Sequence, residues 1–295
     1  MRLVLIANPF ASRVSEERLR AVERALAAAG EVETVLTERR GHASELARDA
    51  QADAIVVYSG DGVFNEVLNG VTGDAPLGIV PGGHANVLVR ALGLPEDPLA
   101  VAERIAAALV ENRARRISLG RVNGRRFAFG AGIGIDAELV RRIEELGPRA
   151  KGKARGDLLF TWEGAKLLAR RRGRFTEVLE IEGLGRAAFV LVSNGNPYTY
   201  AGPLPLRVHP EADFEHGLDL LAPRETHART WPRYTTYVLR GRGQERAADI
   251  IYGHDLDRIV VRCDVPLPLQ ADGEDLGDVS EAVFVAERGA VAVLV

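Results

Sequence analysis

Residues 54 to 70 read AIVVYSGDGVFNEVLNG, and the fold follows from how this stretch is parsed. Ala54 to Tyr58 are apolar and partly β-branched. A short apolar run ended by glycine predicts a buried parallel strand. Ser59, Gly60, Asp61 and Gly62 make a tight turn. From Val63 the pattern is helical, with Val63, Val67 and Leu68 spaced to share one face. A strand that runs into a glycine turn and opens a helix aims backbone N–H groups and the positive helix end at one spot, which suits a phosphate. Glycine lets the backbone approach the anion with no Cβ in the way. A carboxylate beside phosphate oxygens is repulsive, so Asp61 implies a Mg²⁺ ion or a proton to be taken from a substrate hydroxyl.

Towards the N-terminus, Leu3 to Ala7 predicts a first buried strand that ends at the turn dipeptide Asn8-Pro9. Ser15 caps a helix whose first turn carries Glu16 and Glu17, with Leu19, Val22, Leu26 and Ala29 on one face and Gly30 at its stop. Glu31 to Thr37 reads as a second strand, and residues 42 to 50 as a second helix carrying Leu46. Past the central stretch, Pro76 to Val80 is another apolar strand. It leads into Pro81-Gly82-Gly83-His84-Ala85-Asn86, then a helix through Arg90 to Leu92, closed by Gly93 and Pro95. This order predicts a doubly wound parallel α/β domain with its ligand at the carboxyl ends of the strands. The second glycine turn would offer a further set of N–H donors.

Beyond Arg115 the pattern changes. Segments 116–122 and 126–131 are strand-like and joined by Asn123-Gly124, a strong hairpin signal. More follow at 176–182, 186–193, 217–222, 257–263 and 281–286, which predicts a mainly antiparallel β-sandwich domain. The expected division is 1–118 and 119–295, and the sequence leaves open whether the apolar Val291 to Val295 returns to the first domain. Gly132-Ile133-Gly134-Ile135-Asp136-Ala137 matches a dinucleotide pattern by spacing, but it follows a hairpin rather than lying in a βαβ unit. No Walker A string, HExxH or GxSxG is present.

Taken together, Ser59-Gly60-Asp61-Gly62, Asn65-Glu66-Val67 and Asn69-Gly70 resemble the glycine-rich signature of the diacylglycerol kinase and sphingosine kinase family of lipid kinases. Ser59 stands for the first glycine, as in the sphingosine kinase form, and Val63 stands for threonine. Asn8-Pro9 takes the place of the family's opening motif, although Phe10, Ala11 and Ser12 match it poorly. In the second turn Gly83, Asn86, Arg90 and Gly93 match, while His84 and Val87 depart. The segment at 132–137 is similar to one that joins sheet to helix in the family. Ser193-Asn194-Gly195 to Gly202, Pro210 to Asp219, and Asp272-Gly273-Glu274 complete the ordered set.

The resemblance implies an ATP- and Mg²⁺-dependent lipid kinase that phosphorylates a hydroxyl of a lipid such as diacylglycerol, with ATP in the cleft between the domains. It implies nucleotide contacts at Asn8, Ser59, Gly60, Gly62, Asn65, Glu66, Gly82, Gly83 and Asn86. Arg90 offsets phosphate charge or is an exposed helix arginine, and His84 is a ligand contact or a surface-loop histidine. Asp61 would hold the metal, its pKa lowered by the helix dipole, with Glu274 as the base and Asp272 orienting it or the metal shell. The opposite assignment, Asp61 as base, comes from the sphingosine kinase form. A structural Mg²⁺ would draw on Asp213, Glu215 and Asp219, although His216 stands where an aspartate is expected. Sphingosine, ceramide or NAD kinase activity, and a non-catalytic lipid or nucleotide sensor, stay open as alternatives.

The chain has 295 residues, 46% hydrophobic and 27% charged, enough for one or two globular domains. A net charge of −3 offers no overall polycation to nucleic acid. All but Lys151, Lys153 and Lys166 of the 38 basic residues are arginine. The single cysteine, Cys263, excludes an intrachain disulfide framework. No apolar run reaches a membrane span and the N-terminal one is too short for a signal peptide, so a cytoplasmic protein is expected. A homodimer is left open. Residues 141–174 carry basic side chains at 141, 142, 149, 151, 153, 155, 166, 170, 171, 172 and 174 against Glu144, Glu145, Asp157 and Glu163. With the amphipathic Leu158, Leu159, Trp162, Ala165 and Leu168, this segment is expected to touch an anionic membrane surface transiently.

Overall fold

The computed structural model describes residues 1–147 and 156–295. They form two compact units, Met1–Ile117 with Gly289–Val295, and Ser118–Arg288.

The first unit runs β1 (Arg2–Ala7), α1 (Glu16–Leu26), β2 (Glu31–Leu36), α2 (His42–Asp49), β3 (Ala54–Ser59), α3 (Asp61–Gly70), β4 (Leu77–Pro81), α4 (Val87–Ala91) and α5 (Pro98–Val110). Its strands lie in the order β2-β1-β3-β4, all parallel, and the C-terminal segment adds a further parallel pairing of Val293 with Leu77. The strand order reverses between β1 and β3, which puts the ligand crevice of such a sheet at their carboxyl ends. Asn8 and Gly60 follow those two ends directly. All six residues of β3 are buried, as a strand covered on both faces requires. Ser15 caps α1 by accepting the Arg18 amide at 3.3 Å, and Asp97 caps α5 with Pro98 at its first turn. The buried face of α3 is Phe64, Val67 and Leu68, with Val63 only half-buried, one residue away from the expected face.

The second unit is an antiparallel sheet. Its strands Ile250–Leu256, Leu218–Pro223, Val190–Ser193, Gly130–Ile133 and Arg258–Ala271 lie side by side in that order, and Arg258–Ala271 then pairs with Glu274–Val293. Phe127, Ile133, Leu220, Val261, Leu269 and Phe284 belong to one buried cluster. Two hairpins turn on two residues each: Asn123-Gly124 at φ +47° and +91°, and Asp272-Gly273 at φ +48° and +77°. Positive φ at both central residues is what a tight hairpin twisted like its strands demands. The segment at 132–137 passes from the strand Gly130–Ile133 through Gly134, at φ +97°, into α6 (Ile135–Glu145).

Candidate active site

In the first unit the two glycine turns touch backbone to backbone. A Cβ on Gly83 would lie 2.6 Å from the Cα of Gly60, and one on Gly60 would lie 3.2 Å from the Cα of Gly83. A Cβ on Gly82 would meet the Cα of Ser59 and a methyl of Val14, each at 2.9 Å. The buried Ser59 accepts the Gly82 amide on its carbonyl at 2.8 Å. Glycine at these positions therefore joins the turns as well as keeping them open to a ligand.

Asp61 locks the joint. Its Oδ2 accepts the Val87 amide at 2.8 Å and its Oδ1 the Leu88 amide at 3.0 Å, so a side chain from the first turn of α3 caps α4. Burial pushes its carboxyl above the ordinary range, and these two amides oppose the shift. The expectation of a lowered pKa is corrected: burial of the carboxyl is the larger influence and raises it. Asn86, buried at φ +46°, accepts the Gly83 amide on Oδ1 and donates Nδ2 to the Gly83 carbonyl, both at 3.0 Å. The amides of Gly83, Val87 and Leu88 are thus engaged inside the protein, so the second turn supplies shape more than N–H donors. The first turn differs. No side chain caps α3, Gly62 is exposed, and the first-turn amides are the groups a helix N-terminus offers to an anion.

Glu66 repeats the pattern of Asp61. Its two oxygens accept the amides of Gly41 at 2.9 Å and Ala43 at 3.2 Å, so it caps α2. Asn65 is buried and accepts from Asn69 at 3.1 Å. Asn8 bends its own loop by accepting the Phe10 amide at 2.9 Å, and its amide donates to Tyr58 at 3.2 Å. His84 is exposed. Arg90 lies 3.8 Å from Glu96, which Arg13 also approaches at 3.7 Å.

Arg13 escaped the sequence reading. Its amide donates to Gly82 at 3.0 Å and its carbonyl accepts the Tyr58 hydroxyl at 3.1 Å, so the loop after β1 is knitted to the second turn. The signal was its place five residues after Asn8, in the part of the opening loop that matches the family poorly.

In the second unit the buried Asp272 side chain sits in a nest of amides. Ala128 donates to Oδ2 at 2.6 Å, and Phe129 and Gly130 donate to Oδ1 at 3.0 and 3.1 Å. Asp272→Asn keeps a residue that tolerates positive φ but turns an amide group towards these donors. It should lower unfolding stability by about 3 kcal/mol, since one to two buried N–H groups lose their acceptor. A denaturant midpoint equal to the wild type would contradict this. Glu274 opens the next strand opposite Ala271 and forms an ion pair with Arg125. Its side chain is 15% exposed.

The expected metal trio is not assembled. Asp213 accepts the amides of Glu215 and His216 at 2.8 and 3.0 Å and pairs with the His216 ring at 2.9 Å. Asp219 is fully buried and accepts the His254 ring at 2.9 Å and the Asp255 amide at 3.1 Å. Among the described residues no group of three or more histidine, cysteine or acidic side chains could hold a metal. Asp213, Glu215 and Asp219 are corrected accordingly: the first closes its own turn and the last is spent inside the sheet.

The diacylglycerol kinase catalytic domain model matches residues 2–122. Over 288 residues the chain is 30% identical to a diacylglycerol kinase of Bacillus subtilis (strain 168), covering 92% of this chain and 89% of that one. The crystal structure of a diacylglycerol kinase from Bacillus anthracis is similar with a TM-score of 0.73 at 21% identity, covering 99% of this chain and 96% of that one. An NAD kinase from Archaeoglobus fulgidus in complex with ATP gives a TM-score of 0.54 at 13% identity, covering 100% of this chain and 94% of that one. The two structural likenesses show the fold alone.

Proposed function

The chain belongs to the diacylglycerol kinase family and is a kinase that acts on a lipid; from that premise we propose that it transfers the γ-phosphoryl group of ATP, carried as the Mg²⁺ complex, to a hydroxyl of diacylglycerol. The observation that carries this reading is the pair of glycine turns fused through Gly60 and Gly83 and fixed by Asp61. The uncapped first turn of α3 receives the phosphates, and Gly62 leaves its backbone open to them. Mg²⁺ keeps much of its water and needs only one or two carboxylates besides the nucleotide phosphates, and bound there it would offset their charge. Asp61 fits that limited demand, because each carboxylate oxygen has a second lone pair beyond the amide it accepts. Glu274 takes the proton of the lipid hydroxyl, held by Arg125 on one side and by the turn at 272–273 on the other. Positioning and electrostatics supply most of the rate in such transfers.

The test is an acceptor panel. Labelled ATP with Mg²⁺ is offered diacylglycerol, sphingosine, ceramide and NAD in separate reactions. Label in phosphatidic acid is the expected result. Label only in sphingosine, ceramide or NAD would transfer the reading to that acceptor, and none in any would leave a sensor.

The acceptor would lie in a membrane, and the segment from Trp162 to Arg174, at the end of α7 (Gly156–Arg170) and just beyond it, is proposed to touch the membrane surface. Trp162 is 60% exposed, and Arg170, Arg172 and Arg174 are exposed with no ion-pair partner among the described residues. Arg141, Arg142, Lys166 and Arg171 have carboxylate partners, so they contribute less than the sequence count implies. Arg149, Lys151, Lys153 and Arg155 lie outside the described residues. No described helix is long and apolar enough to cross a membrane. Changing Arg170, Arg172 and Arg174 to Gln should weaken sedimentation with phosphatidylserine vesicles about 100-fold, since each basic side chain near such a surface contributes about 1 kcal/mol. Unchanged sedimentation would remove this surface from the account.

A further inference from the structure

Asp136, near the start of α6, has no part in the chemistry above, yet it ends a directed set of hydrogen bonds that begins beside Glu274. The Gly273 amide donates to Gln270 Oε1 at 2.9 Å. Gln270 Nε2 donates to the Tyr198 hydroxyl oxygen at 2.9 Å and to Asp136 Oδ2 at 2.6 Å. The Tyr198 hydroxyl donates to the same Oδ2 at 2.6 Å. Gln270 is 3% exposed and Tyr198 7%. With the Asp136 carboxylate charged, the donors of the set converge on it, and the Tyr198 hydroxyl also lies 3.4 Å from the Ala131 carbonyl. The set also fixes the orientation of the Gln270 amide: Nε2 must face Asp136, so Oε1 must face the turn. Burial raises the Asp136 carboxyl and the Tyr198 hydroxyl above their ordinary ranges, while the two donors favour the charged carboxylate.

The turn that presents Glu274 is therefore held twice. Asp272 fastens its first residue to the amides of 128–130, and Gln270 fastens its second. We infer that Asp136 is a positioning residue for the proton-accepting Glu274, acting through Gln270 on the amide of Gly273. This rests on the reading of Glu274 as the base. An alanine at 136 would leave both donors without the oxygen they share, so Gln270 is free to rotate and release the turn. A carboxylate displaced by about 1 Å loses on the order of 10²-fold in rate.

The experiment compares the full-length Asp136→Ala, Tyr198→Phe, Gln270→Glu, Asp136→Ala/Gln270→Glu and Glu274→Gln proteins. Measured are kcat and KM for diacylglycerol, Kd for MgATP and the thermal midpoint. Asp136→Ala should lower kcat about 10²-fold with the Kd for MgATP unchanged. Tyr198→Phe, which removes one of the two donors and no charge, should lower it less. In the double variant the carboxylate moves to position 270, where it accepts from Gly273 and Tyr198. It should recover most of the lost kcat, whereas Gln270→Glu alone, with two carboxylates side by side, should not. Wild-type kcat in Asp136→Ala, or a loss that follows the thermal midpoint and is not recovered in the double variant, overturns the inference. Glu274→Gln separates the two levels. If it is inactive while Asp136→Ala is normal, only the positioning role fails, and if it turns over normally the base reading fails with it.

Discussion

Glu274→Gln should lower kcat about 10³-fold and leave the affinity for MgATP unchanged. General-base assistance at a hydroxyl contributes roughly 10²–10⁴-fold, and the amide cannot accept the proton. The nucleotide turns belong to the other compact unit, so binding there is expected to survive. The ion pair with Arg125 is also weakened at a largely buried carboxylate, so the thermal midpoint is measured beside kcat to separate the two effects. Near-normal turnover in Glu274→Gln, together with an Asp61→Asn protein that binds MgATP and does not react, would reverse the two roles. Asp61→Asn is the less direct probe, because it also removes an acceptor from the start of α4.

Gly83→Val should abolish measurable MgATP binding and lower the stability of the first unit by about 3 kcal/mol. The Cβ alone would lie 2.6 Å from the Cα of Gly60 and 3.1 Å from Asn86 Oδ1, and neither neighbour is the free end of a flexible side chain. The turns must separate, which carries Asp61 away from the amides of Val87 and Leu88. Overpacking of this kind costs about 1–3 kcal/mol, and the lost cap adds about 1 kcal/mol. Sequence spacing alone suggests a substitution that obstructs the ligand and spares the fold. The close approach of Gly60 and Gly83 shows why the fold is affected as well. Calorimetric titration and a urea melt test both halves, and full affinity with an unchanged midpoint would place the nucleotide elsewhere.

The first unit was legible because its signals are local. β3 is buried on both faces and so reads as an unbroken apolar run, and the glycines that follow mark the turn. Val63 was misplaced by one position, since α3 begins at Asp61 and turns Phe64, the largest apolar side chain of the helix, inward. What Asp61, Glu66 and Asp272 do was not legible. Their partners lie 26, 25 and 144 residues away, and no spacing in the chain announces a carboxylate that caps another element. The family motifs point to these residues for ligand roles, whereas the structure shows each holding backbone: Asp61 the start of α4, Glu66 the start of α2, and Asp272 the segment 128–130.

The second unit was read only in pieces for a related reason. Arg258–Ala271 and Glu274–Val293 pair with register shifts between Arg262 and Leu267 and between Pro268 and Gln270. Each shift breaks the alternation on which a strand is recognised. Asp136 lay inside a pattern set aside for its context, and its partners Tyr198 and Gln270 come from strands and loops far along the chain. The basic run at 141–174 was overcounted because Glu138, Asp275 and Asp278 neutralise part of it from outside the window.

A phosphate held by the fused glycine turns is the centre of the proposed function, and hydrogen exchange of the intact protein with and without MgATP tests it. Slowed exchange is expected at the amides of residues 60–63, with the loop at 82–88 stiffening alongside them and no comparable change in the strand pair 258–293. Protection confined to other segments, with the amides of 60–63 exchanging as fast as in the free protein, would contradict it.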